Sequence, residues 1–168
     1  MGTLSDHFDV SDISRSSTAT RLGIDNTPNE QQLANAKQAV IGMELVRAVL
    51  NKPVLVDSWL RVEPLEKVLC HNDYISWCSL HEIEVSPRSW AMYFAKKGHP
   101  KGFAIDFTSP QFGTPLEIVK AIHASSIQID QCLMEGSWVH VSFDPQMRGE
   151  FLTAVFVNGV PHYSKGIV

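Results

Sequence analysis

Two histidines and two carboxylates carry the chemistry that this sequence could do. In His99-Pro-Lys-Gly-Phe-Ala-Ile-Asp106 an imidazole follows Gly98, and a carboxylate sits inside an apolar, strand-like run. Burying a carboxylate there is costly unless it is paired or binds a cation. Further on, Glu135-Gly-Ser-Trp138-Val-His140-Val-Ser142 reads as a hairpin turned by Gly136-Ser137, with glycine first as a type II′ turn prefers. That turn sets Glu135 opposite Trp138 and Leu133 opposite His140. Side chains alternate along strands, so Glu135, Trp138, His140 and Ser142 share one face, and Val139, Val141 and Phe143 form the other. His99, Asp106 and His140 make a three-ligand set suited to catalytic zinc, with a fourth position left open. Glu135 would stand over that position as general base, and Asp130 is the next carboxylate in line. The plainer alternative makes Asp106 a strand-end residue and leaves the histidines in ordinary roles.

The elements that would position these groups are legible in part. Residues 1–26 are polar and mixed and read as an extended or loosely structured lead-in. Thr27-Pro28-Asn29-Glu30 reads as a capping box with Thr27 as the cap. Apolar residues then recur at Leu33, Ala36, Val40, Met43, Val46 and Leu50, the spacing of one buried helix face, which Asn51 and Pro53 end. A short strand over 53–58 leads to Trp59-Leu60-Arg61. A helix over 62–69 fits, 70–85 reads as an irregular insertion, and Ser86-Pro87 opens a helix that Gly98 would stop. A buried strand spans 102–107, and Thr114-Pro-Leu-Glu117 caps a helix in which Leu116, Val119, Ile122 and His123 recur at spacings of three or four. The last third is β: the hairpin, then 151–157, turned by Asn158-Gly159. The expected class is α+β, an antiparallel sheet packed against helices in one domain over 1–168.

Composition narrows the functions. Of 168 residues, 44% are hydrophobic and 19% charged, with a net charge of −4. The apolar content excludes a disordered chain, and the absence of a basic surplus argues against a nucleic-acid partner. No run of about 18 apolar residues is present, so membrane insertion is not expected. The opening Met-Gly-Thr-Leu-Ser-Asp-His-Phe has neither the basic nor the apolar region of a signal peptide, which points to synthesis in the cytoplasm. Cys70, Cys78 and Cys132 are odd in number and are expected as free thiols. Cys70-His71 with Cys78-x-x-His81 is a weaker second metal set of irregular spacing. Trp77, Trp90 and Tyr93 read as core or groove lining. Lys96, Lys97 and Lys101 read as a solvated edge, or as a lure for an anionic substrate.

His99-x-x-Gly102-x-Ala104-x-Asp106-Phe107, with Glu135 and Trp138-Val-His140-Val-Ser142, resembles the zinc D-Ala-D-Ala carboxypeptidase family, peptidoglycan peptidases with the hedgehog-type metal core. Arg15-Ser-Ser-Thr-Ala-Thr-Arg-Leu-Gly-Ile-Asp-Asn-Thr-Pro28 and Glu44-Leu-Val-Arg47 are similar to the small phage endolysin-like members. The likeness covers about residues 8–61 and 97–145 and leaves 62–96 unmatched. It implies zinc on His99, Asp106 and His140, Glu135 as catalytic base, and Arg61 binding substrate and polarising its carbonyl. Trp138 and Ser142 would line the substrate site. The implied activity is cleavage of peptidoglycan stem peptides, of the D,D-carboxypeptidase or L-alanyl-D-glutamate endopeptidase type. It would act on the cell wall after release from the cytoplasm, or as part of a virion beside other virion proteins. Three features depart from the family pattern. Lys97 replaces a serine, Ser58-Trp59-Leu60-Arg61 replaces Ser-Gly-Tyr-Arg, and four residues rather than two separate Glu135 from His140. The lost serine and tyrosine, with the unmatched segment 62–96, motivate the alternative of a catalytically silent zinc-binding virion structural protein that kept the fold.

Overall fold

The computed structural model describes residues 2–157 and 160–167. In chain order the helices are α1 (Val10–Ser14), α2 (Ser17–Leu22), α3 (Glu30–Leu50), α4 (Glu63–Leu69), α5 (His71–Leu80), α6 (Pro87–Phe94) and α7 (Pro115–Ala124). The strands are β1 (Leu55–Ser58), β2 (Ala104–Thr108), β3 (Gln131–Glu135), β4 (Trp138–Ser142), β5 (Glu150–Val157) and β6 (Val160–Lys165). They form one sheet in the order β1-β2-β4-β3-β5-β6. The α+β expectation agrees with this architecture, but the sheet is mixed rather than antiparallel, because β3 and β5 run parallel.

The reason for the parallel pair lies just after β4. The hairpin brings the end of β4 beside the start of β3, so the segment 143–149 has only to step past β3 to reach its free edge. Arg148 in that segment clamps Asp130 with Nε at 2.7 Å and Nη2 at 2.6 Å. Gly149 N donates to Ile129 O at 3.1 Å and Glu150 N to Asp130 O at 3.0 Å, which starts the parallel ladder. The Asn158-Gly159 turn lies outside the described residues.

α3 is the long helix expected, with Ala36, Ala39, Val40, Met43, Val46 and Leu50 buried. Each such aliphatic side chain larger than alanine contributes about 1.5–3 kcal/mol when removed from water. Its cap differs from the expectation. Asn29 Oδ1 accepts from Gln32 N at 2.8 Å, and Gln32 Oε1 accepts from Asn29 N at 2.9 Å. This Asn-Gln box outcompetes Thr27, whose amide turns to Asp25 Oδ1 at 2.9 Å. The Thr114–Glu117 box forms as expected, and α7 buries Ile118, Val119 and Ile122 and leaves His123 exposed.

Two further expectations are corrected. The lead-in is helical and joins the core: Phe8 and Ile13 are buried, and Leu60 N donates to Ile13 O at 3.0 Å. Its helices are too short to show a 3.6-residue period. The segment 70–85 is also not irregular, since α5 pairs with α6 around a separate aromatic cluster of Tyr74, Trp90 and Tyr93 with Cys78. Tyr74 and Trp90 meet edge to face at 5.1 Å. Gly98 is not the stop of α6, which ends at Phe94 with Ala95 as its C-cap. Its φ is −81°, and glycine is needed because a Cβ would lie 2.9 Å from Ala104 Cβ. Among the described residues no helix is long and apolar enough to cross a membrane.

Candidate metal centre

Three elements bring the ligand candidates together. β2 and β4 are adjacent, and their register sets Asp106 directly against His140, between the apolar pairs Ile105–Val141 and Phe107–Val139. The hairpin register is the expected one, with Glu135 against Trp138 and Leu133 against His140. Gly136 takes the positive φ of +62° at the turn, whereas Ser137 does not enter the left-handed region, as a II′ turn requires. His99 comes from a single 3-10 turn over His99–Lys101, closed by Gly102 at φ +85°. A side chain at Gly102 would also place its Cβ 2.8 Å from Gln32 O of α3. α3 grips that turn through Gln32 Nε2 to Pro100 O and Asn35 Nδ2 to Lys101 O, both at 2.8 Å.

The donor atoms converge on one point. His140 Nδ1 is 2.8 Å from Asp106 Oδ1, His99 Nε2 is 3.1 Å from the same oxygen, and the two ring nitrogens are 3.2 Å apart. On its far side His99 Nδ1 meets Trp59 O at 2.6 Å. A carbonyl only accepts, so Nδ1 carries the proton and the lone pair of neutral His99 is on Nε2, aimed at Asp106. A lone pair, a carboxylate oxygen and a second imidazole nitrogen therefore share one small space, with one imidazole proton to divide among three contacts. That crowding suits a cation, and a carbonyl behind the ring is a common way to orient a metal-ligating histidine. Among the described residues this is the one group of three or more His, Cys, Asp or Glu donors placed to hold a metal ion.

Electrostatics agrees with that distribution of protons. Burial and the nearby Arg61 charge push His99 below the ordinary imidazole value. Burial would also lower His140, but the hydrogen bond and charge of Asp106 prevail and raise it. Burial works against ionised Asp106, yet His99, Arg61 and His140 hold it well below the usual carboxylate range. Arg61 Nη2 donates to Asp106 Oδ2, and Arg61 Nε to Ser58 Oγ at 2.9 Å. From α4, buried Glu66 accepts from Cys70 Sγ at 3.2 Å with one oxygen, while its other oxygen has no hydrogen-bond partner among the described residues.

Beside the ligands opens a cavity of about 350 Å³, lined by Asp57, Ser58, Arg61, Asp106, Thr108, Ser137 and Trp138. Glu135 borders the hairpin turn. Its carboxylate accepts from Trp138 Nε1 at 3.0 Å and from the Tyr163 hydroxyl of β6 at 3.4 Å. Ser142 corrects an expectation: it is 3% exposed and its hydroxyl is spent on Asp130 Oδ2 at 3.0 Å, outside the cavity. Asp130 is likewise committed to Arg148 and Ser142, which removes it as a substitute base.

The second metal set does not assemble. Cys70 points to Glu66, and its thiol is pushed up to about 12 by burial and the Glu66 charge. Cys78 lies in the aromatic cluster, and His81 Nδ1 donates to Trp77 O at 2.9 Å. All three cysteines are free thiols. Lys97 pairs with Asp73 at 2.8 Å, Lys96 lies over Trp77 and Lys101 reaches Asp144, so none of them lines the cavity. Asp57, Tyr163 and Glu66 escaped the sequence reading, because their relation to the site depends on a bulge, on the β5–β6 ladder and on the packing of α4. Comparisons with family models, with curated proteins and with solved structures find no match.

Proposed function

We propose that this chain is a zinc-dependent peptidase of peptidoglycan stem peptides, endolysin-like in its role. The observation that supports it is the convergence of His99, Asp106 and His140 beside a cavity that Asp106 lines together with Arg61 and Trp138. His99 Nε2, His140 Nδ1 and an Asp106 oxygen would hold the ion. When bound, zinc supplies a Lewis acid that polarises a carbonyl and makes water more acidic. The residues of the chain do the rest. Glu135, steadied by Trp138 and Tyr163, takes a proton from the attacking water at a carboxylate oxygen and returns it to the leaving amine. Arg61, braced by Asp106 and Ser58, presents its guanidinium to the acyl oxygen or to a terminal carboxylate.

A second reading, a silent zinc-binding virion protein, draws on Leu60. The position of the family's pocket tyrosine is filled here by a fully buried leucine, which offers the cavity no polar group. Digestion of purified sacculi with and without chelator separates the two. New peptide ends by mass spectrometry, lost with chelator and restored by zinc, are the expected result. One zinc per chain without any released peptide would favour the silent reading, and no zinc at all would refute both.

A further inference from the structure

β1 and β2 pair regularly at Leu55–Thr108 and Val56–Phe107, and then the register slips, so that Ser58 meets Asp106 and Asp57 has no partner residue. Such a bulge bends a strand and re-aims a side chain, and bulges recur beside active sites. Here it sets Asp57 in the wall of the cavity that Arg61, Asp106 and Trp138 also line. The two carboxylates differ in their charge balance. Asp106 is paired with Arg61 and faces both imidazoles, whereas among the described residues no basic side chain forms an ion pair with Asp57. The hydroxyl-bearing residues Ser58, Thr108 and Ser137 also line the cavity, and the Ser58 hydroxyl accepts from Arg61 Nε at 2.9 Å. An ammonium group has three protons to donate and no acceptor, so one carboxylate among hydroxyls suits it.

We propose that Asp57 recognises an ammonium group of the substrate, carried either on a free peptide N-terminus or on the side chain of a diamino acid. This deepens the peptidase reading, from which it takes the peptide nature of the ligand. The preference for a cation follows from the cavity. Hydrophobic contact with Trp138 would add affinity without distinguishing charged from neutral ends.

The probe is the tripeptide L-Ala-γ-D-Glu-L-Lys in four forms: both amines free, either one acetylated, or both acetylated. Binding to the zinc-supplemented protein is measured by calorimetry, so the readout does not depend on cleavage. Wild type should prefer the free peptide over the doubly acetylated one by about tenfold, the scale of one charge-assisted hydrogen bond. The singly acetylated forms show which amine is read. Asp57→Asn, at an exposed position whose change should leave the melting curve in place, should reduce the ratio to within about twofold. No preference in wild type, no binding of any form, or a preference that survives in Asp57→Asn would each overturn the proposal. An ammonium preference in a protein that never opens sacculi would refute the peptidase reading and leave Asp57 standing.

Discussion

At the scale of single residues, the site depends on what stands behind each group. Trp59 O fixes the proton of His99 on Nδ1, and the Trp138 indole and Tyr163 hydroxyl orient Glu135. Removing charge while keeping shape separates binding from chemistry. Glu135→Gln should keep about one zinc per chain while turnover on sacculi falls by about 10²–10⁴-fold, the range for loss of a general base. Loss of zinc with activity would make Glu135 a ligand, and an unchanged rate would retire it as the base. His140→Ala, which removes one of three converging donors, should lose the metal outright in elemental analysis.

At the scale of elements, the Asp130–Arg148 clamp decides how β5 joins the sheet. Burial disfavours the Asp130 charge, but the Arg148 side chain, its backbone amide and the Ser142 hydroxyl prevail and lower the carboxyl below its ordinary value. A folded-state value below the unfolded one stabilises at pH above the ordinary carboxylate value of about 3.9, and that stabilisation is lost as pH falls through the lowered value. Asp130→Asn should therefore cost about 1–3 kcal/mol in urea unfolding at pH 7, discounted for the partly exposed arginine. The gap from wild type should narrow as pH drops below about 4. A gap independent of pH would deny the clamp its charge. Within α3, Gly42 packs on Phe143, and a Cβ there would lie 2.1 Å from Phe143 Cε1. Alanine gains about 1 kcal/mol of helix propensity, whereas overpacking costs about 1–3 kcal/mol. At this separation the clash wins, and Gly42→Ala should lower the melting temperature. A rise would mean that the ring moves aside freely.

Across the whole molecule, the donors come from a turn gripped by α3 and from two central strands, so an ion bound there ties together segments far apart in sequence. At free zinc about one hundred times its dissociation constant, linkage adds about 2.7 kcal/mol. For a chain of this size that raises the melting temperature by roughly 5–10 °C. Calorimetry with zinc and with chelator should show this rise in wild type and none in His140→Ala. A rise in both would place the stabilising ion elsewhere. The insertion α4–α6 reaches the same region, with Glu66 adding negative charge near Arg61 and β6 bringing Tyr163 to Glu135.

The sequence by itself determined the parts whose causes are local. The Gly136-Ser137 turn and strict alternation set the hairpin register, hence the face shared by Glu135, Trp138 and His140. The spacing of apolar residues marked the buried face of α3, and Thr114 with Glu117 capped α7. Tertiary structure decided what depends on partners distant in the chain. The lead-in helices and the α5–α6 pair became ordered by packing, with no period long enough to announce them. Parallel pairing of β5 rests on a clamp between residues 130 and 148. Ser142 shares the face of His140 yet turns to Asp130, because a hydroxyl buried beside a carboxylate bonds to it. Asp57 reaches the cavity through a bulge that exists only where β1 meets β2, since register slips are properties of a strand pair and not of either strand.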